Sequence, residues 1–150
     1  MRLPWPASVV LAMTFAVLTG PPAYWHPLAK TKSVPVVVSW QGEVRMELRK
    51  EAPKRGYVTD GKTWERLWKA WRATEKAPSV NFKEAIVLVA ANDDLNQISV
   101  IPAIDDKSDL KLIYESTLIG FLNPTEFAYQ FALIKREGVK TIKGKAIEDE

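Results

Sequence analysis

Residues 63 to 73, TWERLWKAWRA, constrain this chain more than any other stretch, because they place three of its six tryptophans within eight positions. On a wheel of 100° per residue, Trp64, Leu67, Trp68 and Trp71 share one arc, and Glu65, Arg66, Lys69 and Arg72 occupy another side. The spacing predicts an amphipathic helix. Asp60 or Thr63 is placed to cap its first turn, and Pro78 stops it from running past residues 73–77. Burying a Trp, Leu or Phe side chain is worth roughly 1.5 to 3 kcal/mol, so an indole stripe left in water would forfeit much of a small domain's stability margin. The stripe therefore belongs under a sheet, as core rather than as an exposed carbohydrate or peptide platform.

The remaining periodicity is mostly two. Val34 to Val38 form a β-branched run, and EVRMELR alternates Val44, Met46 and Leu48 inward with Glu43, Arg45, Glu47 and Arg49 outward. Residues 50–61 gather Pro53, Gly56 and Gly61 with charges, which is loop chemistry leading into the helix. Ala85 to Ala91 are apolar without alternation, as in a strand covered on both faces. NQISVIPAIDD and DLKLIYES flank the turn cluster DDKSD and predict a hairpin, with Pro102 marking an edge or a bulge. TEFAYQFALIKRE sets Phe127, Tyr129, Phe131 and Leu133 against Ala128, Gln130, Ala132 and Ile134 and predicts a central strand. A short strand, VKTI, lies between the turn dipeptides Glu137-Gly138 and Lys143-Gly144. The expected architecture is α+β: an antiparallel, curled sheet of about six or seven strands packed on one Trp-rich helix, in a single domain over residues 34–147 followed by the acidic tail 148–150.

The first 23 residues have the layout of a secretory signal, with Arg2, an apolar stretch from Val9 to Leu18 and the breakers Pro21 and Pro22. A spanning helix needs roughly 20 apolar residues, which makes an uncleaved anchor the minor alternative. Residues 24–33 then read as a linker. The expected location is outside the cytoplasm, in the periplasm, the cell envelope or the medium, with membrane contact only if the N-terminal segment is retained.

Much chemistry is excluded by composition. There is no cysteine, hence no disulfide, thiolate metal site, Cys nucleophile or lipoprotein anchor, and the single histidine, His26, precludes a multi-His zinc site. The formal charge of +3 is too small to imply nucleic acid. The clusters Asn92-Asp93-Asp94 and Asp105-Asp106-Asp109 lack the spacing of a calcium loop and read as turn caps, so no metal or cofactor is expected. Ser99, Ser108 and Ser116 coexist with many lysines, yet neither a G-x-S-x-G nor an S-x-x-K motif is present. No catalytic residue is assigned; the alternative is a small hydrolase using carboxylates such as Asp93 and Asp94, or a Ser-Lys pair drawing on Ser116. Lys135, Arg136, Lys140 and Lys143, with Lys145, oppose only Glu137 and form the candidate binding patch for a protein or an anionic envelope polymer. Their ordinary role is to keep sheet edges from pairing.

Three stretches, TWERLWKAW, PSVNFKEAIVLVA and FAYQFALIKREGVKTIKG, together resemble the C-terminal domain of PrcB-type protease-complex subunits and related secreted bacterial domains of unknown function. The similarity spans about residues 40–145. It implies an extracytoplasmic domain that binds and stabilises a protease and carries no catalytic residues of its own. Where that family has a glycine-rich segment ending in Gly-Gly-Tyr, this chain reads ANDDLNQISV. Signal removal is expected after Ala23, so N-terminal sequencing of the exported protein should begin at Tyr24; a chain recovered intact from Met1 would overturn the signal assignment.

Overall fold

The computed structural model describes residues 30–93, 96–117 and 125–147. The expected signal segment, the linker through residue 29, His26, Asp94 and the tail 148–150 lie outside them. The elements are β1 (Lys32–Ser33), β2 (Val36–Arg45), a 3-10 helix (Met46–Glu51), β3 (Tyr57–Val58), α1 (Gly61–Trp71), β4 (Ala85–Asn92), β5 (Ile98–Ile104), β6 (Asp109–Ser116), β7 (Glu126–Lys135), β8 (Thr141–Ile142) and β9 (Lys145–Ala146).

The α+β class holds, but the expected single curled sheet of six or seven strands does not. Nine described strands form two sheets, one of four strands in the order β2-β7-β4-β3 and one of five in the order β1-β5-β6-β8-β9. All neighbours are antiparallel except β6 and β8, which run parallel. The physical reason lies in β7 and β4, which are apolar on both faces and so need two covers. Phe127, Tyr129 and Phe131 of β7, with Val87 and Val89 of β4, face the indoles of α1. Ala128, Ala132 and Ile134, with Ile86, Leu88 and Ala90, face Ile98, Val100 and Leu110 of the second sheet. The result is a helix, a sheet and a second sheet in successive layers. The strands that the sequence does not announce, β1, β3 and β9, are two residues long, too short to leave a period.

The helix forms where the spacing predicts it. Asp60 accepts a hydrogen bond from the Thr63 N–H at 2.7 Å and caps the first turn. Trp64, Leu67, Trp68 and Trp71 are at most 5% exposed, which places the indole stripe in the core. Each indole N–H also has a backbone acceptor: Trp64 donates to Pro78 O, Trp68 to Glu75 O and Trp71 to Leu48 O, at 3.0, 3.0 and 3.1 Å. Trp71 stacks on Phe131 with ring centroids 5.4 Å apart and planes 9° from parallel. Trp40 of β2 reaches over to Trp64 and Trp68 at 5.7 and 5.4 Å.

Two expected strands merge into one. β2 runs unbroken from Val36 to Arg45, and the expected alternation of Met46 and Leu48 becomes a 3-10 helix. Met46 and Leu48 still pack on the indole cluster, so burial is kept while the backbone turns and presents the Leu48 carbonyl to Trp71. At Gly42 a side chain is impossible without displacement, because an added Cβ would lie 2.7 Å from the Tyr129 hydroxyl. Lys32–Ser33, inside the expected linker, pair with β5.

The β5–β6 hairpin forms as expected, and Pro102 sits where its missing N–H matters least. Asp105 and Asp109 exchange a backbone bond across β5 and β6, so by the antiparallel alternation Pro102 faces away from β6. Its carbonyl accepts from Val34 N–H at 2.9 Å. Two residues earlier the Val100 N–H faces the same way and donates to the buried Gln130 Oε1 at 2.7 Å, tying the two sheets together.

Asp105 caps the hairpin turn, accepting from the N–H groups of Lys107 and Asp109. Asp109, expected in the same turn, is instead buried at the start of β6. It accepts from Thr141 Oγ1 at 2.6 Å, from Gly144 N–H at 2.8 Å and from the Lys111 amine, and so holds the C-terminal hairpin to β6. Burial by itself would raise its pKa, but these three donors outweigh it and lower the carboxyl to about 2. A carboxyl held below its ordinary value stabilises the fold above about pH 4 and loses that contribution, about 2 kcal/mol, as the pH falls through about 2. Urea unfolding followed between these values should show the loss in the wild-type chain and a flatter profile for Asp109→Asn; identical profiles would remove Asp109 from this role.

Candidate functional site

The structure divides the four predicted binding residues. Lys135 and Arg136, at the end of β7, lie on the wall of an open cleft of about 710 Å3. Lys143 lies on a separate recess of about 590 Å3. Lys140 lines neither; its N–H donates to Ser108 O at 2.9 Å and pins the segment before β8 beside the β5–β6 turn.

The cleft is built where the four-stranded sheet ends. Ala85 pairs with Lys135, and Arg136 N–H donates to Glu84 O at 2.8 Å, so β7 is held to the start of β4 until the chain turns at Glu137-Gly138. Asn81 organises the opposite wall: its carbonyl accepts from Glu84 and Ala85 N–H and its side chain from Lys83 N–H. Arg136 donates to Phe82 O at 3.3 Å, which draws its guanidinium across the wall. Val37, Val80, Leu133 and Val139 give the cleft an apolar lining; Lys83, Lys135 and Arg136 face Glu84 and Glu137 around it.

Sequence reasoning missed Lys83 and Val37. Lys83 is one loop cation among many, without a pattern. Val36, Val37 and Val38 have the β-branched composition of a buried strand, yet they are 40, 57 and 40% exposed. Among the described residues no further strand pairs beyond β2 in its sheet, and a register shift between Val36 and Val38 turns the chain there.

The free edge of β2 is guarded at its centre. Met46 N–H bonds Thr125 O, so by antiparallel alternation the backbone groups of Gln41 point away from β7. Arg72, just past α1, donates to that Gln41 carbonyl at 3.0 Å and to the Tyr129 hydroxyl at 3.1 Å, while Glu75 holds the other side of its guanidinium at 2.7 Å. Burial acts to lower the Arg72 pKa, but its bonds to Glu75 and Tyr129 outweigh that and raise it, keeping the guard charged. A cation standing off the edge blocks pairing at Gln41 and leaves the stretch beside the cleft open.

Residues weighed for hydrolysis do not converge. Asp93 is ion-paired with Arg49 at 2.7 Å on the surface. Ser116 is exposed at the end of β6, Ser99 lies within β5, and Ser108 occupies the hairpin turn at φ 66°. Among the described residues, no hydrogen bond joins a serine hydroxyl to a lysine amine, and no three of His, Cys, Asp and Glu gather as a metal would need.

Arg72→Ala should expose the Gln41 edge: self-association is expected by analytical ultracentrifugation at concentrations where the wild-type chain does not change mass, with a stability loss of about 1 to 3 kcal/mol. A destabilised variant that keeps the wild-type mass would show that Arg72 only braces the helix end. Compared with protein-family models, curated proteins and solved structures, the chain matches none.

Proposed function

We propose that this protein is an exported, non-enzymatic binding module that holds, and by holding stabilises, a protein partner in the cell envelope. The observation that carries the proposal is the placement of Lys135 and Arg136 on an apolar cleft that opens beside the exposed Val36–Val38 end of β2. An extended segment with apolar side chains and a carboxylate fits such a place, with the apolar groups set against Val37, Leu133 and Val139 and the acid against Lys135. The unguarded end of β2 supplies main-chain donors and acceptors in the same direction. The resemblance to PrcB-type domains supports a protein, and a protease in particular, as the partner. Among the described residues no helix is long and apolar enough to cross a membrane.

Photo-crosslinking residues placed at positions 37 and 135 in cells should each yield a discrete adduct with one polypeptide, and the same probe at exposed Lys62 on α1 should not. Lys135→Glu should weaken that adduct at position 37. Adducts of equal yield from all three positions, or none from 37 and 135, would overturn the proposal.

A further inference from the structure

The second recess has a different chemistry. Its walls come from five separated parts of the chain: the 3-10 helix with the loop that follows it, the end of β4, β5, β6, and the turn between β8 and β9. Val89, Ala91 and Ile98 contribute apolar surface. Arg49, Lys50, Lys54 and Lys143 surround it, and Tyr114 adds a hydroxyl. Among the described residues no acid lines it, and the one described carboxylate bound to these cations is Asp93, which engages Arg49 alone. Lys50, Lys54 and Lys143 therefore bring to one concavity charge that no described carboxylate pairs, against the repulsion that gathering them entails.

Local geometry shows that Lys143 is held there rather than left to swing. Its backbone sits in the left-handed region at φ 52°, a conformation that a non-glycine side chain rarely takes, although Gly144 follows it directly. Its N–H donates to Leu110 O at 3.0 Å, and its amine lies 3.4 Å from the Tyr114 hydroxyl and 5.4 Å from that ring's centre. Gly56 backs this pair. It too has a left-handed φ, of 78°, and a Cβ there would stand 3.1 Å from the Tyr114 hydroxyl and 3.7 Å from the Lys143 amine. The β8–β9 turn thus keeps a lysine at a strained position where glycine would be the easier residue, and at Gly56, in the loop before β3, a side chain would crowd the Tyr114 hydroxyl that this lysine meets.

We propose that this recess binds a phosphate group, with Lys143 and the Tyr114 hydroxyl on one side and Lys50 and Lys54 on the other. Lysine ammoniums are point charges that can approach from different directions, which suits a tetrahedral, multiply charged oxyanion better than a planar carboxylate. The apolar wall lets the phosphate carry an organic substituent. The site is independent of the cleft proposed for the protein partner, since the two share no lining residue.

Isothermal titration calorimetry with pyrophosphate and inorganic phosphate, and flotation with phosphatidylglycerol vesicles against phosphatidylcholine vesicles, test the proposal and separate its two sources. Binding of the soluble anions assigns a free phosphate compound; binding of phosphatidylglycerol vesicles alone assigns a lipid headgroup. In either case Lys143→Gln and Lys54→Gln should each weaken binding by roughly tenfold, whereas Lys135→Gln in the other cleft should leave it unchanged. Lys143→Gly serves as the folding control: it relieves the left-handed backbone, so its thermal midpoint should equal or exceed that of the wild type while binding is lost. No binding of either kind by the wild-type chain, or equal loss in Lys135→Gln, would overturn the site.

Discussion

The structure depends on a strand that has no solvent face. β7 is flanked by β2 and β4, covered by indoles on one side and by a second sheet on the other, and its residues from Phe127 to Ala132 are all buried. A strand of this kind has no orientation in which one layer suffices, so the protein must supply an aromatic helix and a second sheet together. The same demand explains Gln130. A polar side chain in the buried interlayer needs a partner, and it finds one in the Val100 N–H that β1 is too short to reach. What looks like an imperfection in an apolar strand is the bond that registers one sheet on the other.

The tryptophans act as more than bulk. Each of the three on α1 presents its ring to β7 and its N–H to a carbonyl outside the helix, so a single side chain both fills the core and anchors an irregular segment. The loop after α1 is held at Glu75 and Pro78, and the 3-10 turn at Leu48. Because that loop leads to the wall around Asn81, the cleft beside Lys135 is braced from the aromatic core. Arg72 extends the logic outward by joining the end of the helix to the edge of β2, where it covers the Trp68 ring with its guanidinium 5.0 Å from the ring centre.

How much of this was legible in the sequence follows from length and period. The Trp helix, the two-faced apolar run at Ala85 to Ala91, the hairpin around DDKSD and the alternation of β7 each repeat a pattern over enough residues to be read, and each occurs. β1, β3 and β9 are two residues long and carry no period, and the short strand expected at VKTI gives no sign of its partner, so the division into two sheets could not be read and one curled sheet was the natural inference. Met46 and Leu48 keep a two-residue spacing while the backbone turns into a 3-10 helix, so burial alone could not distinguish the two conformations. Asp109 was hidden for another reason: its partners Thr141 and Gly144 are distant in sequence, and its composition is that of the turn beside it. The same distance effect split the basic stretch near the C-terminus. Lys135, Lys140 and Lys143 are close along the chain, yet the turn at Glu137-Gly138 and the pairing of β8 with β6 send them to three different surroundings. The recess at Lys143 draws its other cations from residues 49–54, a combination that no local motif announces.

The position of β7 between β2 and β4 also sets an order of events. Its two neighbours share no edge with one another, and the strand that must enter between them follows both along the chain. The aromatic side chains gathered from β2 and α1 therefore lack their counterpart, Phe131, until β7 has emerged, and stable closure has to await pairings that are distant along the chain. A nascent polypeptide built this way stays open until its central strand arrives.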